Sequence, residues 1–523
     1  MIFRSPYPDV AISDLALTPL VLQHAEERAA KPALIDASSD RVLTYGELAR
    51  EVKSVASGLF SRGMRKGDVF GIYSPNSIEY AITLLAIASF GGIATTVNPL
   101  ATAEELSSQL IDAGATRLLT TPELLSAALP AAAASRVQEV FVTGEADGAT
   151  SFTALRNSGG TVLAPADCRP DDVVLLPYSS GTTGTPKGVM ITQGSWVANL
   201  CQIEMLHAVA PDDVIFCLPP FFHMYGAIVL THLLRGGGTV VFAPRFELER
   251  FLASIERYRI TRAYLVPPVI IALVHSPIVD AYDLSTLSNI FSGAAPLGED
   301  LRRRCQERLG CTVNQGYGLT EASPVTHSVP FNIATTKPGS VGPCLPNTEC
   351  KVMDVDFGTE LGPAERGELW IRGPQVMKGY LNRPEATASM ITSDGWLRTG
   401  DIGYADADGD FYIVDRLKEL IKYKAYQVAP AELEALLMSH PAVADAAVTP
   451  YQDETCGEIP KAWIVLKGEA SADELMAFVA ARVAPYKKIR RLEFIDQIPK
   501  SASGKILRRL LVDRDRAALA VQA

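Results

Sequence analysis

The stretch "DVFGIYSPNSIEYAITLLAIASFGGIATTVNP", residues 68–99, decides the fold. An apolar run ends in a Ser-Pro-Asn turn, a helical segment begins at Ser77, a Gly-Gly pair stops it, and a β-branched run follows. Strand, helix, strand in that order builds a parallel sheet with its helix packed on one face. The same unit recurs at "RLLTT", "DVVLLPYSS", "DVIFCLPPFFH", "GGTVVFAP", "ITRAYLVPP" and "LSNIFSGAAP". The predicted class is α/β with doubly wound sheets, whose ligands sit at the carboxyl ends of the strands. The least charged part, "AITLLAIASFGGIATTV", is broken by Ser, Gly and Thr and reads as a buried helix entering a strand, not as a membrane span.

Beyond about residue 338 the texture changes to antiparallel strands separated by Gly, Pro and Asn turns: "GSVGPCLPNTECKVMD", "RGELWIRGPQVMKGY", "GDFYIVD". After "VDRLKELIKYK" comes a compact α/β tail, which predicts a large domain over 1–415 and a small one over 416–523. Two domains suit 523 residues. The net charge of −11 argues against a nucleic-acid binder. Eight scattered cysteines without C-x-x-C and seven dispersed histidines predict reduced thiols and no structural transition metal. With no apolar leader in "MIFRSPYPDVAISDLALTPL" and no peroxisomal tripeptide in "AVQA", the expected address is cytoplasmic, away from membranes.

"SSGTTGTPKG", residues 179–188, has no apolar face. A linker is one reading, but the segment follows a strand and carries a lysine behind a proline. A Walker A loop needs Gly before the Lys and a hydroxyl after it, whereas here Pro186 precedes Lys187 and Gly188 follows. Glycines, hydroxyls and one cation still suit a nucleotide polyphosphate.

"YSSGTTGTPKGV" (178–189) resembles the phosphate-binding signature of the adenylate-forming superfamily of acyl-CoA synthetases, luciferases and adenylation domains. "SGAAPLG" (292–298), "NQGYGLTEASPV" (314–325), "TGD" (399–401), "VDRLKELIKYK" (414–424), "QVAPAELE" (427–434) and "PKSASGKILRR" (499–509) resemble that family in its order, over essentially the whole chain. Within it the chain is most similar to 4-coumarate:CoA ligases, although "GELWIRG" (367–373) departs from the plant ligases' Cys-containing motif. The resemblance implies two doubly wound sheets, a distorted β-barrel and a mobile α+β lid. It also implies ATP, Mg²⁺ and coenzyme A with a small carboxylic acid, in a monomer or homodimer.

On the matching positions, Ser179, Ser180, Gly181, Thr182, Thr183, Gly184 and Lys187 would hold the outer phosphates, and Gly293 and Ala295 would lie near the nucleotide. Gly316 and Gly318 allow close backbone approach, Tyr317 would stack on adenine, Thr320 would bond phosphate, and Glu321 would bind Mg²⁺. Asp401 would take the ribose hydroxyls and Arg416 ribose and phosphate. Lys505 would stabilise charge on the α-phosphate during adenylation. Thioester formation needs a second arrangement, reached by rotation about Lys418, which replaces the Lys505 loop by the Lys422 strand. His223 would gate carboxylate and thiol. Ala425 stands where the family carries glycine beside the pantetheine tunnel, so Ala425→Gly is expected to favour thioester formation over adenylation.

The implied acyl pocket comprises Tyr225, Ala294, Gly316, Pro324 and Val325, an apolar, flat lining suited to cinnamate or 4-coumarate. Ala294→Gly is expected to widen acceptance of hydroxylated rings. Medium-chain or other aryl acids, a luciferase-like oxidase and a degenerate ATP- or acyl-binding protein are the alternatives. An amino-acid-activating domain would need an acidic residue near "FFHMYG", and none is there.

Overall fold

The computed structural model describes residues 1–159, 167–179, 186–331, 337–424, 426–453, 455–501 and 504–522. Within them the 68–99 stretch forms strand Val69–Tyr73, helix Ile78–Ser89 and strand Ile93–Val97. Ser77 caps the helix by accepting from the Tyr80 amide, and Ile78 and Tyr80 through Ala88 are buried. An apolar helix with no polar face must be enclosed on every side, and this one is. No helix of the described residues is long and apolar enough to cross a membrane.

Among the described residues an eight-stranded sheet contains that unit, with Ile93–Val97 parallel to both Val69–Tyr73 and Val173–Ser179. A seven-stranded sheet runs Thr312–Gln315, Asn289–Ser292, Arg262–Leu265, Val214–Cys217, Thr239–Phe242, Pro32–Asp36, Arg41–Thr44. All its pairings are parallel except the last, between Pro32–Asp36 and Arg41–Thr44. A third, five-stranded antiparallel sheet takes Phe3–Arg4, Glu349–Met353, Gly367–Arg372, Leu397–Ala405 and Phe411–Arg416. The tail forms its own sheet, in which the long hairpin Val443–Asp453/Gly457–Leu466 packs on helices Pro430–Met438 and Ala472–Ala480.

Three sheets therefore present strand ends to one region. Ser179 ends a strand of the first; Gly293 and Gly316 follow strands of the second; Asp401 and Arg416 pair across strands of the third. The tail closes over it. Gly504, at φ +81°, sits so close to Pro268 that an added Cβ would lie 3.2 Å from its ring. The turn is held by the Ser501 amide donating to the Lys505 carbonyl (2.8 Å) and the Lys505 amide donating to Ser501 Oγ (3.1 Å). Three residues on, Arg508 donates to both oxygens of Glu434 (2.8 and 2.7 Å) and to Glu419 (2.8 Å), which ties the end of the chain to the segment joining the third sheet to the tail. Charge-assisted pairs of this bidentate kind fix orientation as well as energy.

Candidate active site

Lys187 and Ser179 face each other across a short antiparallel pairing. Ser180, Gly181, Thr182, Thr183 and Gly184 lie outside the described residues, as does Ala425. Ser179 Oγ donates to Glu321 Oε1 at 2.9 Å, and the Tyr380 hydroxyl donates to the same oxygen at 2.9 Å. The Lys187 ammonium lies 5.2 Å from the centre of the Tyr380 ring, within cation–π range. Tyr380 thus joins both halves of this corner, and nothing in "MKGYLNRP" marks it beforehand. Glu321 and Thr320 occupy one turn, Thr320–Ala322, that follows the Gly-Tyr-Gly segment. Gly318 must be glycine: a Cβ there would stand 2.1 Å from the Pro324 carbonyl oxygen.

Asp401 is nearly inaccessible, and both its oxygens are engaged. The Tyr317 hydroxyl donates to Oδ2 at 2.6 Å, and Arg416 Nε lies 3.2 Å from Oδ1. Burial pushes the Asp401 carboxyl up and the Tyr317 phenol well up, with Arg416 opposing the first and Asp401 reinforcing the second. The sequence reading gave Tyr317 only a stacking face; the structure adds a hydroxyl that orients the ribose-side carboxylate.

Lys505, carried by the tail, lies within electrostatic reach of Arg416, Glu419, Lys418 and Asp401. Burial, with Arg416 in the same direction, lowers its pKa to about 8. His223 caps helix Met224–Gly236, its Nδ1 accepting from the Tyr225 amide at 3.2 Å. Burial and then the Lys505 charge lower it to about 4, so it is a neutral imidazole at neutral pH. Lys418 lies in the turn Leu417–Glu419, its pKa lowered by burial and by Arg416. Lys422 is not brought in. It is exposed on strand Ile421–Tyr423, where its amide donates to Glu458. In this arrangement Lys505, rather than Lys422, lies beside Arg416 and Asp401.

Behind Tyr225 lies a small, partly open cavity. Ile203, Ile228, Val229, Phe291 and Val325 form its apolar walls. Tyr225, Tyr264, His207 and His232 also line it, largely through their carbon atoms. Of the five implied pocket residues, Tyr225 and Val325 line it, while Ala294, Gly316 and Pro324 do not. The surface that faces the cavity is apolar, as the sequence suggested, although two histidines and a second tyrosine reach it from elements far apart in the chain. One signal was available. Tyr225, Ile228, Val229 and His232 follow the i, i+3, i+4, i+7 spacing of one helical face. Gly293 abuts the Tyr225 ring, where a Cβ would stand 2.7 Å from Cζ, and Ala294 beside it adopts φ +69°.

Residues 21–381 match the AMP-binding enzyme family and residues 432–505 match its C-terminal domain. 4-Coumarate-CoA ligase 1 of Narcissus pseudonarcissus is 42% identical over 538 residues, covering 100% of this chain and 97% of that protein. 4-Coumarate–CoA ligase 5 of Oryza sativa subsp. japonica is 42% identical over 522 residues, with coverage of 97% and 96%. Among solved structures, the anthranilate CoA ligase AuaEII in complex with anthranoyl-AMP aligns with a TM-score of 0.89 at 27% identity over 99% of both chains. ATP-bound MatB from Rhodopseudomonas palustris aligns at 0.87 and 27% identity, over 95% of this chain and 98% of that one. The chain belongs to the adenylate-forming family of AMP-binding enzymes, as an AMP-forming acyl-CoA synthetase.

Proposed function

We propose that this enzyme converts an aryl-propenoic acid, cinnamate or a 4-hydroxylated relative, into its coenzyme A thioester through acyl-AMP. The observation that carries the reading is the Lys505 turn, seated beside Arg416, Asp401 and His223 while the cavity opens behind Tyr225. In the first step a carboxylate oxygen of the acid attacks the α-phosphorus. The acyl–phosphate bond forms, the bond to the β-phosphate breaks, and pyrophosphate leaves. Charge on the phosphoryl oxygens is stabilised by the Lys505 ammonium, with Thr320 donating a hydrogen bond. Lys187 neutralises the outer phosphates and then the leaving pyrophosphate. Asp401, held by Tyr317 and Arg416, takes the ribose hydroxyls.

The donor set of Glu321 fits Mg²⁺, which favours one carboxylate together with phosphate oxygens and water. Ser179 and Tyr380 hold that carboxylate in place, and the ion would screen phosphate charge. In the second step the thiol sulfur attacks the acyl carbonyl and AMP departs. Lys505 occupies the approach in this arrangement, so residues 416–523 turn about Lys418 and bring Lys422 in. Neutral His223, at the mouth of the acyl cavity, yields to each nucleophile in turn.

The test is ATP–pyrophosphate exchange and thioester formation across benzoate, cinnamate, 4-coumarate and hexanoate, with and without coenzyme A. Cinnamate-type acids are expected to lead both assays. Hexanoate or benzoate leading both would overturn the substrate class. Light emission on adding a luciferyl substrate would favour the oxidase instead.

A further inference from the structure

The corner that holds Glu321 and Lys187 is tied to a residue that no motif marks. Asp112 is the second-last residue of helix Ala103–Ala113, which ends at Gly114 in the left-handed region (φ +70°). A carboxylate there lies at the negative end of the helix dipole, where acids are disfavoured. The last turn carries no basic residue to offset it. Helix preference alone therefore does not explain an aspartate at this position.

Its partners do. Asp112 Oδ2 accepts from the Tyr178 hydroxyl at 2.8 Å, and Oδ1 accepts from Arg383 Nη2 at 3.1 Å. They come from segments 66 and 271 residues away in the chain. Burial, and then the Asp112 hydrogen bond, raises the Tyr178 phenol, so it stays a neutral donor. The Asp112 side chain is 23% and that of Arg383 45% exposed, and an ion pair so open to water adds little stability. Its consequence is orientation.

Each partner stands at one flank of the 179–188 segment. Tyr178 immediately precedes it and pairs with Gly188 across the antiparallel register. A Cβ at Gly188 would stand 3.1 Å from Tyr178 Cζ, so the phenol ring lies against the exit of the segment as well as its entry. Arg383 closes the turn that begins at Tyr380, its amide donating to the Tyr380 carbonyl at 3.2 Å. The edge that leads into that turn pairs with the chain beyond Lys187. The Leu381 amide donates to the Gly188 carbonyl at 2.8 Å, and the Met190 amide to the Gly379 carbonyl at 2.9 Å. Asp112 thus reaches both edges, with one oxygen for each. Those edges carry Ser179 and Tyr380, which hold Glu321, and Lys187, which lies against the Tyr380 ring.

We propose that Asp112 is a positioning residue for the outer phosphates of ATP: by holding Tyr178 and Arg383 it sets the spacing of the two edges that carry Ser179, Lys187 and Tyr380. The proposal rests on the reading above in which Lys187 neutralises those phosphates, and it adds the group that keeps the lysine's surroundings aligned. A displacement of about 1 Å in such a constellation is enough to cost much of its effect. AMP and acyl-AMP have no β- or γ-phosphate. The first half-reaction therefore depends on Asp112, and the second does not.

The experiment compares ATP with AMP on the full chain. Calorimetric titration gives a Kd for each nucleotide, ATP–pyrophosphate exchange gives KM for ATP and for the acid, and supplied acyl-AMP isolates thiolysis. Tyr178→Phe and Asp112→Ala are each expected to raise Kd and KM for ATP about tenfold. Kd for AMP, KM for the acid and the thiolysis rate should hold. Asp112→Asn keeps an oxygen that accepts from Tyr178 but loses the charge facing Arg383, and should fall between Asp112→Ala and the wild type. Adding Tyr178→Phe to Asp112→Ala should cost nothing further, because both remove the same link. Should Asp112→Ala fail to fold, Tyr178→Phe, which removes a single oxygen, decides. Parallel losses for ATP and AMP, or equal losses in exchange and thiolysis, would show a purely structural role, and unchanged ATP affinity in both variants would show none. Either result overturns the proposal and leaves the reading of Lys187 standing. If Lys187→Ala binds ATP as tightly as the wild type, that reading falls and the positioning role with it.

Discussion

On the nucleotide side of the site, Asp401 is held by Tyr317 and Arg416, and Glu321 by Ser179 and Tyr380. Around the cavity behind Tyr225, the Tyr225 and Tyr264 hydroxyls and His232 Nδ1 have no hydrogen-bond partner among the described residues, although they are as deeply buried. The difference matches what each wall has to do. On the proposed reading Asp401 and Glu321 serve the same nucleotide in every turnover and gain from orientation in advance, since preorganised groups cost no rearrangement during reaction. An apolar cavity wall that is to hold an aryl group needs no such fixed polar contacts, because burial of apolar surface is non-directional.

The sharpest way to break the comparison is at Lys505. Lys505→Ala is expected to slow adenylation by about 10²–10³-fold, the usual effect of removing one preorganised charge-stabilising donor. Thioester formation from supplied acyl-AMP should continue. Equal losses in ATP–pyrophosphate exchange and in thiolysis would show that the lysine supports the fold rather than the first step. Lys422→Ala, at an exposed position here, should do the reverse: about tenfold or more loss in thiolysis, with exchange intact.

pH sharpens the same wall. The fold lowers Lys505 to about 8, below an ordinary lysine, so the free enzyme loses its catalytic cation as pH rises through that value. The sign for stability is opposite to that for activity. Between about 8 and the ordinary lysine range the unfolded chain binds more protons, so this group makes stability rise with pH there. The kcat/KM for ATP in the exchange assay should fall above pH 8, and Lys505→Arg should move that limb upward while lowering the plateau. A profile flat to pH 10 would contradict a buried, partly neutralised lysine.

The smallest effect is expected at Ala294. Its φ of +69° is one that glycine adopts without penalty. Ala294→Gly should raise stability by roughly 0.5–1 kcal/mol, read as a higher denaturant midpoint. Because Ala294 does not line the cavity, the order of preference among cinnamate, 4-coumarate and hexanoate should not change.

The strand–helix–strand order of 68–99, the later repeats of that unit and the antiparallel segments after 338 were legible because local period and punctuation set them. The nucleotide residues were legible through motifs, since a phosphate cradle is built from contiguous residues. Tyr380 was not, nor were His207, His232 and Tyr264. Each belongs to an element whose own sequence is explained by packing, and the site exists only where those elements meet. Arg508 likewise reads as one of several basic residues after Lys505 until it is seen gripping Glu434 and Glu419.

The sequence by itself determined the two wound sheets, the tail and the family, since hydrophobic period and short motifs are local properties. The tertiary structure alone decided that Lys505 rather than Lys422 lies beside Asp401 and Arg416. It alone brought a neutral His232 and the Tyr264 ring to one cavity behind Tyr225, with the Glu204 carboxyl 3.6 Å from His232. Burial, tautomer and an unmet hydrogen bond depend on what residues distant in the chain bring within a few ångströms, and no window of sequence contains that.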